Sequence, residues 1–180
     1  GRILGLLADN TYTGGTLITN GSVVIGGSAA NATTGSIVGD VVTDTNGTLR
    51  FNRVNNYVFN GLISGTGSVN QTGVGGTTTL TANNTYTNGT WITAGTLELG
   101  NGGTSGSIVG DVRVTDATGS LGSTLAFNRS DSYSFGGVIS DNGRVEQRGS
   151  GTTTLTGANT YTGTTTVSAG TLLVNGDQTA

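Results

Sequence analysis

A short signature recurs three times along this chain and constrains its fold more than any other feature. The copies begin at Asn10, Asn84 and Asn159, and each opens with the letters NTYT. The two intervals between these starting points differ by a single position. A period this constant is typical of repeat proteins, in which each unit buries its apolar face against its neighbours. The sequence therefore predicts a stacked array.

The signatures divide the chain into long units without any change in composition. We predict a single segment, 1–180, that contains units of about 1–74 and 75–149 and a partial unit of 150–180. The GSIVGDV runs begin at Gly35 and Gly106, and the later LRFN and LAFN runs begin at Leu49 and Leu125. The second pair is further apart than the first, which predicts an inserted loop near 117–123. Because the chain does not begin with Met, we expect it to be a segment of a longer protein.

The composition of each unit is that of β-strands and tight turns. Short runs that alternate Val, Ile, Leu or Phe with Thr or Ser are separated by Gly, Asn or Asp. There are 34 glycines and no proline, which suits a backbone whose N–H groups are nearly all needed in sheets. Three or four strand–turn groups per unit match solenoid coils of about 20 to 25 residues. We predict an all-β solenoid of about seven to nine coils, without helix.

Strand alternation assigns side chains to the inside or the outside of the solenoid. In the signature strands the predicted inward residues are Ile18, Val23, Ile25, Ile92, Leu97, Leu99, Val167, Leu172 and Val174. The predicted outward residues are Leu17, Val24, Trp91, Glu98, Thr166 and Leu173. The rest of the predicted core comprises Leu49, Phe51, Tyr57, Phe59, Ile63 and Leu80, with their later equivalents. The arginines interpreted as solvated are Arg50, Arg53, Arg113, Arg129 and Arg144.

The run GTTTLTGANTYTGTTTVSAGTLLVNG, from Gly151 to Gly176, resembles the passenger-associated repeat of bacterial autotransporters. Weaker copies lie at 75–100 and 1–26. The resemblance implies a right-handed parallel β-helix, located on the surface of a Gram-negative cell and carried by a C-terminal outer-membrane barrel. It also implies a role for the repeats in passenger folding during export, and passengers commonly act in adhesion, self-aggregation or virulence. We expect no direct membrane insertion of this segment.

Charge and composition argue against several classes of function. The formal charge is −3 and the seven cations are scattered arginines, which predicts no nucleic-acid partner. The chain has no cysteine, histidine or lysine, so the commonest general base and several nucleophile systems are absent. We therefore expect no cofactor and no enzymatic activity.

Carboxylates leave one enzymatic alternative, a polysaccharide-cleaving β-helix with two acids in one groove. The candidate aspartates are Asp40, Asp44, Asp111, Asp116, Asp131 and Asp141. Nearly all adjoin Gly, Asn or Thr, where Asp is favoured because its side chain bonds the turn backbone. We interpret them as turn residues and expect no metal site, since one Gly-Asp pair per unit supplies too few ligands for calcium. The NTYT run is interpreted as a turn with a buried tyrosine.

The outward apolar residues give the only candidate contact site. We predict possible protein contact at Leu17, Val24, Trp91 and Leu173, since tryptophan in particular is enriched at binding anchors. Ordinary exposed residues are the alternative. The predicted partners are a second copy of the chain or a host surface. The favoured function is a rigid adhesive stalk, and the alternatives are the polysaccharide-cleaving enzyme and a passive spacer that carries a distal domain.

Overall fold

The computed structural model describes residues 1–28, 31–117, 119–120 and 122–176. The described residues contain strands and turns and no helix. The strands are β1 (Ile3–Leu6), β2 (Thr16–Ile25), β3 (Val41–Phe51), β4 (Tyr57–Phe59), β5 (Ile63–Gly65), β6 (Ser68–Gln71), β7 (Thr77–Leu80), β8 (Thr90–Ile92), β9 (Thr96–Leu99), β10 (Val112–Val114), β11 (Thr124–Phe127), β12 (Ser132–Phe135), β13 (Ile139–Ser140), β14 (Arg144–Gln147), β15 (Thr152–Leu155), β16 (Thr165–Val167) and β17 (Thr171–Val174).

The strands pair in parallel with strands one coil earlier and one coil later. Ile3 is opposite Ser22, whereas Thr96 is opposite Thr124, so the second of these coils is the longer. Coil length therefore varies, and turns absorb the difference. The result is a β-solenoid of about eight turns, which confirms the predicted fold class and coil number. The insertion predicted near 117–123 falls between β10 and β11, although Thr118 and Leu121 in it lie outside the described residues.

Each coil contributes one strand or extended segment, here called a rung, to each of three stacked parallel sheets, here called faces. Face one stacks β1, the second half of β2, the second half of β3, β6, β8, β10 and β13. Face two stacks β4, β7, β9, β11, β14 and β16. Face three begins with the first halves of β2 and β3 and with β5, and ends with β12, β15 and β17. Hydrogen bonds from the NTYT turn connect its two parts, since the N–H of Thr85 donates to Ile63 O and that of Asn84 to Ser107 O.

Each long unit is rotated by a third of a turn about the solenoid axis relative to the previous unit. Starting from β1, the chain returns to face one at β2, β3 and β6, and its next strand, β7, lies on face two. The equivalent strands β1, β7 and β15 accordingly belong to three different sheets. A unit therefore spans three coils and one further face. Equivalent side chains of successive units point in three directions.

The interior is a continuous apolar column. Every residue of the predicted non-signature core is buried except Tyr57 and its equivalent Tyr133, which are half-buried. Aromatic rings from consecutive strands of one coil meet in this interior at tilted angles, with centroids 5.8 Å apart for Phe51 and Phe59 and 5.9 Å apart for Phe127 and Phe135. Because a coil cannot bury its own inner face, this column couples each coil to its neighbours.

The last rungs depart from the predicted burial. Val167 and Val174 were expected inside, yet both are exposed, and Leu172 is only half-buried. They lie in β16 and β17, the terminal strands of their sheets. Among the described residues, no further coil stacks on these two strands. The prediction that these side chains are buried is therefore wrong, because no neighbouring strand in the described part of the chain covers them.

The NTYT tyrosine, predicted to be buried, is buried only in the middle run, since Tyr12 is 42% exposed and Tyr161 is half-buried. Tyr86 is fully enclosed, and its hydroxyl lies 2.7 Å from the Thr90 hydroxyl. Burial raises the pKa of Tyr86 far above its ordinary value, because the phenolate would lose its hydration. The neighbouring Asn84 accepts the N–H of Ile63 at 2.9 Å and donates to Ala82 O and Ser107 O. The run is therefore a structural corner that joins three coils.

Candidate functional site

Two arginines that were predicted to be solvated are packed into the solenoid wall. The side chain of Arg129 is 8% exposed, donates to the carbonyls of Thr104 and Gly106, and pairs with Asp131 at 2.8 Å. Arg53 is also largely buried and donates to the carbonyls of Thr33 and Gly35. The prediction is wrong because the loop of the preceding coil carries backbone carbonyls that need hydrogen-bond donors.

Each of these two arginines, with the carbonyls that it binds, forms a clamp, and each clamp also includes an aromatic ring. The guanidinium carbon of Arg53 lies 4.9 Å from the ring centroid of Tyr57, and that of Arg129 lies 4.8 Å from Tyr133. Stacking and several planar donors make arginine, and not lysine, suited to this position. Since the same clamp occurs in both full units, we assign it to the scaffold and not to ligand binding.

Most candidate aspartates bond backbone N–H groups, as predicted. Asp40 accepts the N–H of Leu62 and Asp111 that of Val138, each at 2.8 Å. Asp44 accepts the N–H of Thr45 at 2.8 Å. Asp116 accepts the N–H of Gly122 at 3.2 Å.

The other two candidate aspartates pair with arginine. Asp131 belongs to the Arg129 clamp, and Asp141 lies 3.2 Å from Arg113. Among the described residues, no group of three acidic, histidine or cysteine side chains is placed to hold a metal ion.

An ion-pair network occupies the outer surface of face two. Arg148 donates to Glu98 at 2.9 Å and to Glu146 at 2.8 Å. Ala126 lies between the two glutamates in register and is fully buried, so the guanidinium bridges two rungs across it. Glu98 does point outward, but it was expected to be solvated and is only 8% exposed. Its ion pair and hydrogen bonds offset the free-energy cost of burying the carboxylate.

Glu146 does not have the electrostatics of a glycosidase general acid. A general acid needs a raised pKa, whereas a hydrogen bond from Arg148 lowers the pKa of Glu146 below its ordinary value. Arg148 was not among the residues predicted from the sequence to have a role. A signal was present, since Arg144, Glu146 and Arg148 alternate with the inward Val145 and Gln147.

Trp91 lines a cleft on the outside of face one. Asn70 is opposite Trp91 on one side and Arg113 on the other, one rung away in each direction. The indole is half-buried. The cleft has a volume of about 480 Å³. Asp111 and Ser140 are among the residues on its rim.

The four predicted contact residues do not form one patch. Leu17 is 67% exposed and Leu173 44% exposed, but they lie at opposite ends of face three, whereas Trp91 lies on face one. Val24 is outward yet only 3% exposed, so its predicted exposure is wrong. Its neighbours in the same outward row are Gly5 and the long side chain of Arg50. A contact role for Leu17, Trp91 and Leu173 stays a prediction.

The repeated coil matches a known repeat. A family model described as the passenger-associated-transport-repeat matches residues 4–25, 71–99 and 145–174. These three segments of the chain are passenger-associated transport repeats. In the structure each of these repeats ends with a strand that pairs with an earlier strand of the same repeat: β2 with β1, β9 with β7 and β17 with β15. A passenger repeat is therefore one coil together with the rung that closes it.

Similarity to a named protein supports the same assignment. The passenger segment is 50% identical over 68 residues to the Adhesin BmaC autotransporter of Brucella suis biovar 1 (strain 1330). The match covers 38% of this chain and 2% of that protein. No solved structure gives a significant match. Among the described residues, no helix has the length and apolar character needed to span a membrane. A passenger segment is an exported, surface-exposed part of a Gram-negative bacterial protein.

Proposed function

We propose that this passenger segment is a rigid adhesive stalk at the cell surface. The observation that carries the proposal is the unbroken column of about eight coils, which has one apolar core and three lateral faces. A column of this kind holds its lateral side chains at fixed spacings and so suits contact with a host surface or a sister cell. The relative named above is an adhesin, which favours the same role.

The proposal is non-enzymatic. The two glutamates that share a face are joined by Arg148, and the aspartates bond turns or arginines. A passive spacer would need only the column. The exposed Leu17 and the Trp91 cleft favour a surface that makes contacts of its own.

A role in export follows from the same stacking. Each new coil covers the exposed inner face of the preceding coil, so folding can proceed coil by coil as the chain emerges. In this proposal the passenger repeats provide the template on which the next coil forms, and the whole protein is anchored in the outer membrane.

Adhesion is tested with beads coated with the purified chain and laid on monolayers of epithelial cells. We expect more retained beads than with albumin-coated beads after washing. Equal retention of the two kinds of bead would contradict the adhesive role and favour the spacer.

Self-association is tested by sedimentation velocity of the chain over a wide concentration range, beside a Trp91→Ser variant. We expect association that weakens in the variant, because the indole lies on a lateral face. An elongated monomer at every concentration would limit the adhesive role to host surfaces. Equal association of both proteins would exclude Trp91 as the contact.

A further inference from the structure

The cleft at Trp91 occurs where the second unit departs from the first. In the first unit three successive rungs of face three present Leu17, Val42 and Ser64 in one outward row. The equivalent row of the second unit lies on face one. It contains Trp91, Arg113 and Ser140. The solenoid forms with Leu17 and Val42 at these positions, so it does not require Trp91 and Arg113 at the equivalent positions.

A residue with an unusual backbone conformation accompanies the replacement of Leu17 by Trp91 and of Val42 by Arg113 in the second unit. Asp141 has a φ of +75° and is the only residue other than glycine with a positive φ among the described residues. Its equivalent in the first unit is Gly65, with a φ of +98°. Glycine adopts this conformation freely, whereas a residue with a side chain is strained there, and such strain concentrates at functional sites.

The strained aspartate holds the arginine of the cleft. Oδ2 of Asp141 accepts the hydroxyl of Thr115 at 2.6 Å and Nε–H of Arg113 at 3.2 Å. The side chain of Arg113 is nevertheless 59% exposed, so its remaining N–H groups face solvent beside the indole. The three departures therefore act together, since Asp141 positions Arg113 and Arg113 lies next to Trp91.

The remaining lining supplies further hydrogen-bonding groups. Thr87, Asn88, Asp111 and Ser140 all line the cleft. Within the described part of the chain, Asp111 uses only Oδ1, which accepts the N–H of Val138. Amide, hydroxyl, carboxylate and guanidinium groups together offer both donors and acceptors.

The balance of charge indicates the class of ligand. Arg113 is paired with Asp141, and Asp111 adds one further carboxylate, so the cleft has no excess positive charge to attract a phosphate. A hard cation needs six or more oxygen ligands, and one further carboxylate does not supply them. A neutral sugar ring has an apolar C–H face, which suits an aromatic side chain, and hydroxyls that can both donate and accept. The volume of about 480 Å³ is that of a small-molecule site. We propose that the cleft of Trp91, Arg113 and Asp141 binds a neutral saccharide.

The inference rests on the proposed adhesive role and deepens it by naming the class of ligand. Trp91 is the only tryptophan in the chain, so intrinsic fluorescence reports directly on the cleft. The chain is titrated with maltotriose, mannotriose and N-acetyllactosamine, and with heparin as the anionic comparison. We expect a saturable change with at least one neutral sugar. No change with any of them, together with no signal on an array of neutral glycans, would overturn the proposal.

The first unit provides matched control variants. Arg113→Val and Trp91→Leu each introduce a side chain that the fold accepts at the equivalent rung, and circular dichroism checks that the solenoid is retained. We expect at least about tenfold weaker glycan binding for each, measured by isothermal titration calorimetry because Trp91→Leu removes the fluorescent reporter. Asp141→Gly relieves the backbone strain, so we expect equal or higher thermal stability with weaker binding. Unchanged binding in all three variants would overturn the assignment of the site.

Failure of this inference can be distinguished from failure of the adhesive role. Bead adhesion is measured before and after periodate oxidation of the cell-surface glycans. Adhesion that is lost after oxidation and with Trp91→Leu supports both proposals. Adhesion that persists in both cases retains the adhesive role and overturns the saccharide site in favour of a protein contact. Sugar binding in solution without bead adhesion retains the site and contradicts the adhesive role.

Discussion

At the scale of single residues, the outward side chains of this solenoid differ in how many coils they contact. Arg129 donates to carbonyls of the loop between β9 and β10, pairs with an aspartate in its own turn and packs over a tyrosine ring. Arg113 pairs with Asp141 and stays exposed. The two arginines were indistinguishable in the sequence, because their exposure depends on loops whose path is set by coil length.

We expect Arg129→Met to lower the free energy of unfolding by about 3 kcal/mol, since it leaves buried carbonyls and a carboxylate without their donor. Arg113→Met is the matched control and is expected to cost about 0.5 kcal/mol or less, as surface ion pairs do. Urea unfolding followed by circular dichroism measures both. Similar losses for the two variants would contradict the clamp.

The pH dependence of stability gives a second readout of this prediction. A hydrogen bond from Arg129 lowers the pKa of Asp131 in the folded protein. The corresponding stabilisation is present above the ordinary aspartate pKa and is lost as the pH falls through the lowered folded value. We expect this acid-induced loss to be smaller in Arg129→Met than in the unaltered chain. An identical acid profile would mean that the pair does not stabilise the fold.

At the scale of strands and turns, alternation in the sequence predicts which way a side chain points but not whether it is covered. Val24 and Glu98 both point outward as predicted, and both are buried. Both are covered by neighbouring rungs and by an arginine side chain, which is Arg50 beside Val24 and Arg148 beside Glu98. Those neighbours could not be identified from the sequence, because the number of residues in a coil changes along the stack.

The candidate site shows the same division. Trp91 stood out in the sequence as the single tryptophan on an outward position. Arg113 and Asp141 could be assigned to its surroundings only once the register placed them there. Comparing outward positions between the units, Leu17 with Trp91 and Gly65 with Asp141, would have been the available signal.

The asparagine of the NTYT corner is expected to stabilise the stack according to the number of coils that it joins. Asn84→Ala removes bonds to three backbone groups in three coils and should cost about 3 kcal/mol. Asn10→Ala is the matched control, because Asn10 bonds Ala8 O and Ser36 O from a half-buried position. We expect about 1 kcal/mol for it in thermal or urea unfolding. Equal costs would contradict a role for the corner in coupling the coils.

At the scale of the whole molecule, the third of a turn added by each unit determines where repeated residues appear. Because β1, β7 and β15 lie in different sheets, a side chain repeated in every unit cannot form a continuous stripe on one side. A binding cleft such as that of Trp91 is therefore presented once on its face. The same face is reached again only after three units, so a longer array spreads equivalent features around its circumference.

Distances between spin labels test both the rigidity and the rotation. The chain has no cysteine, so cysteines substituted for the exposed Leu17 and Leu173 can be labelled selectively. These positions lie seven rungs apart on face three, which corresponds to about 34 Å along the axis, and we expect a narrow distance distribution near that value. A broad distribution would contradict a rigid stalk.

Inserting a second copy of residues 75–149 after residue 149 extends the test to the repeat itself. The insert adds three coils and one further face, so the labels should separate by about 16 Å more along the axis. The distal label should also move from face three to the next face, which adds a lateral offset that an insert of whole coils would not produce. Labels at positions 17 and 42 provide the control, because both precede the insert and their adjacent rungs should stay about 5 Å apart along the axis. An axial increase without lateral displacement would contradict the third-turn rotation, and no increase would contradict the stacking of one unit on the next.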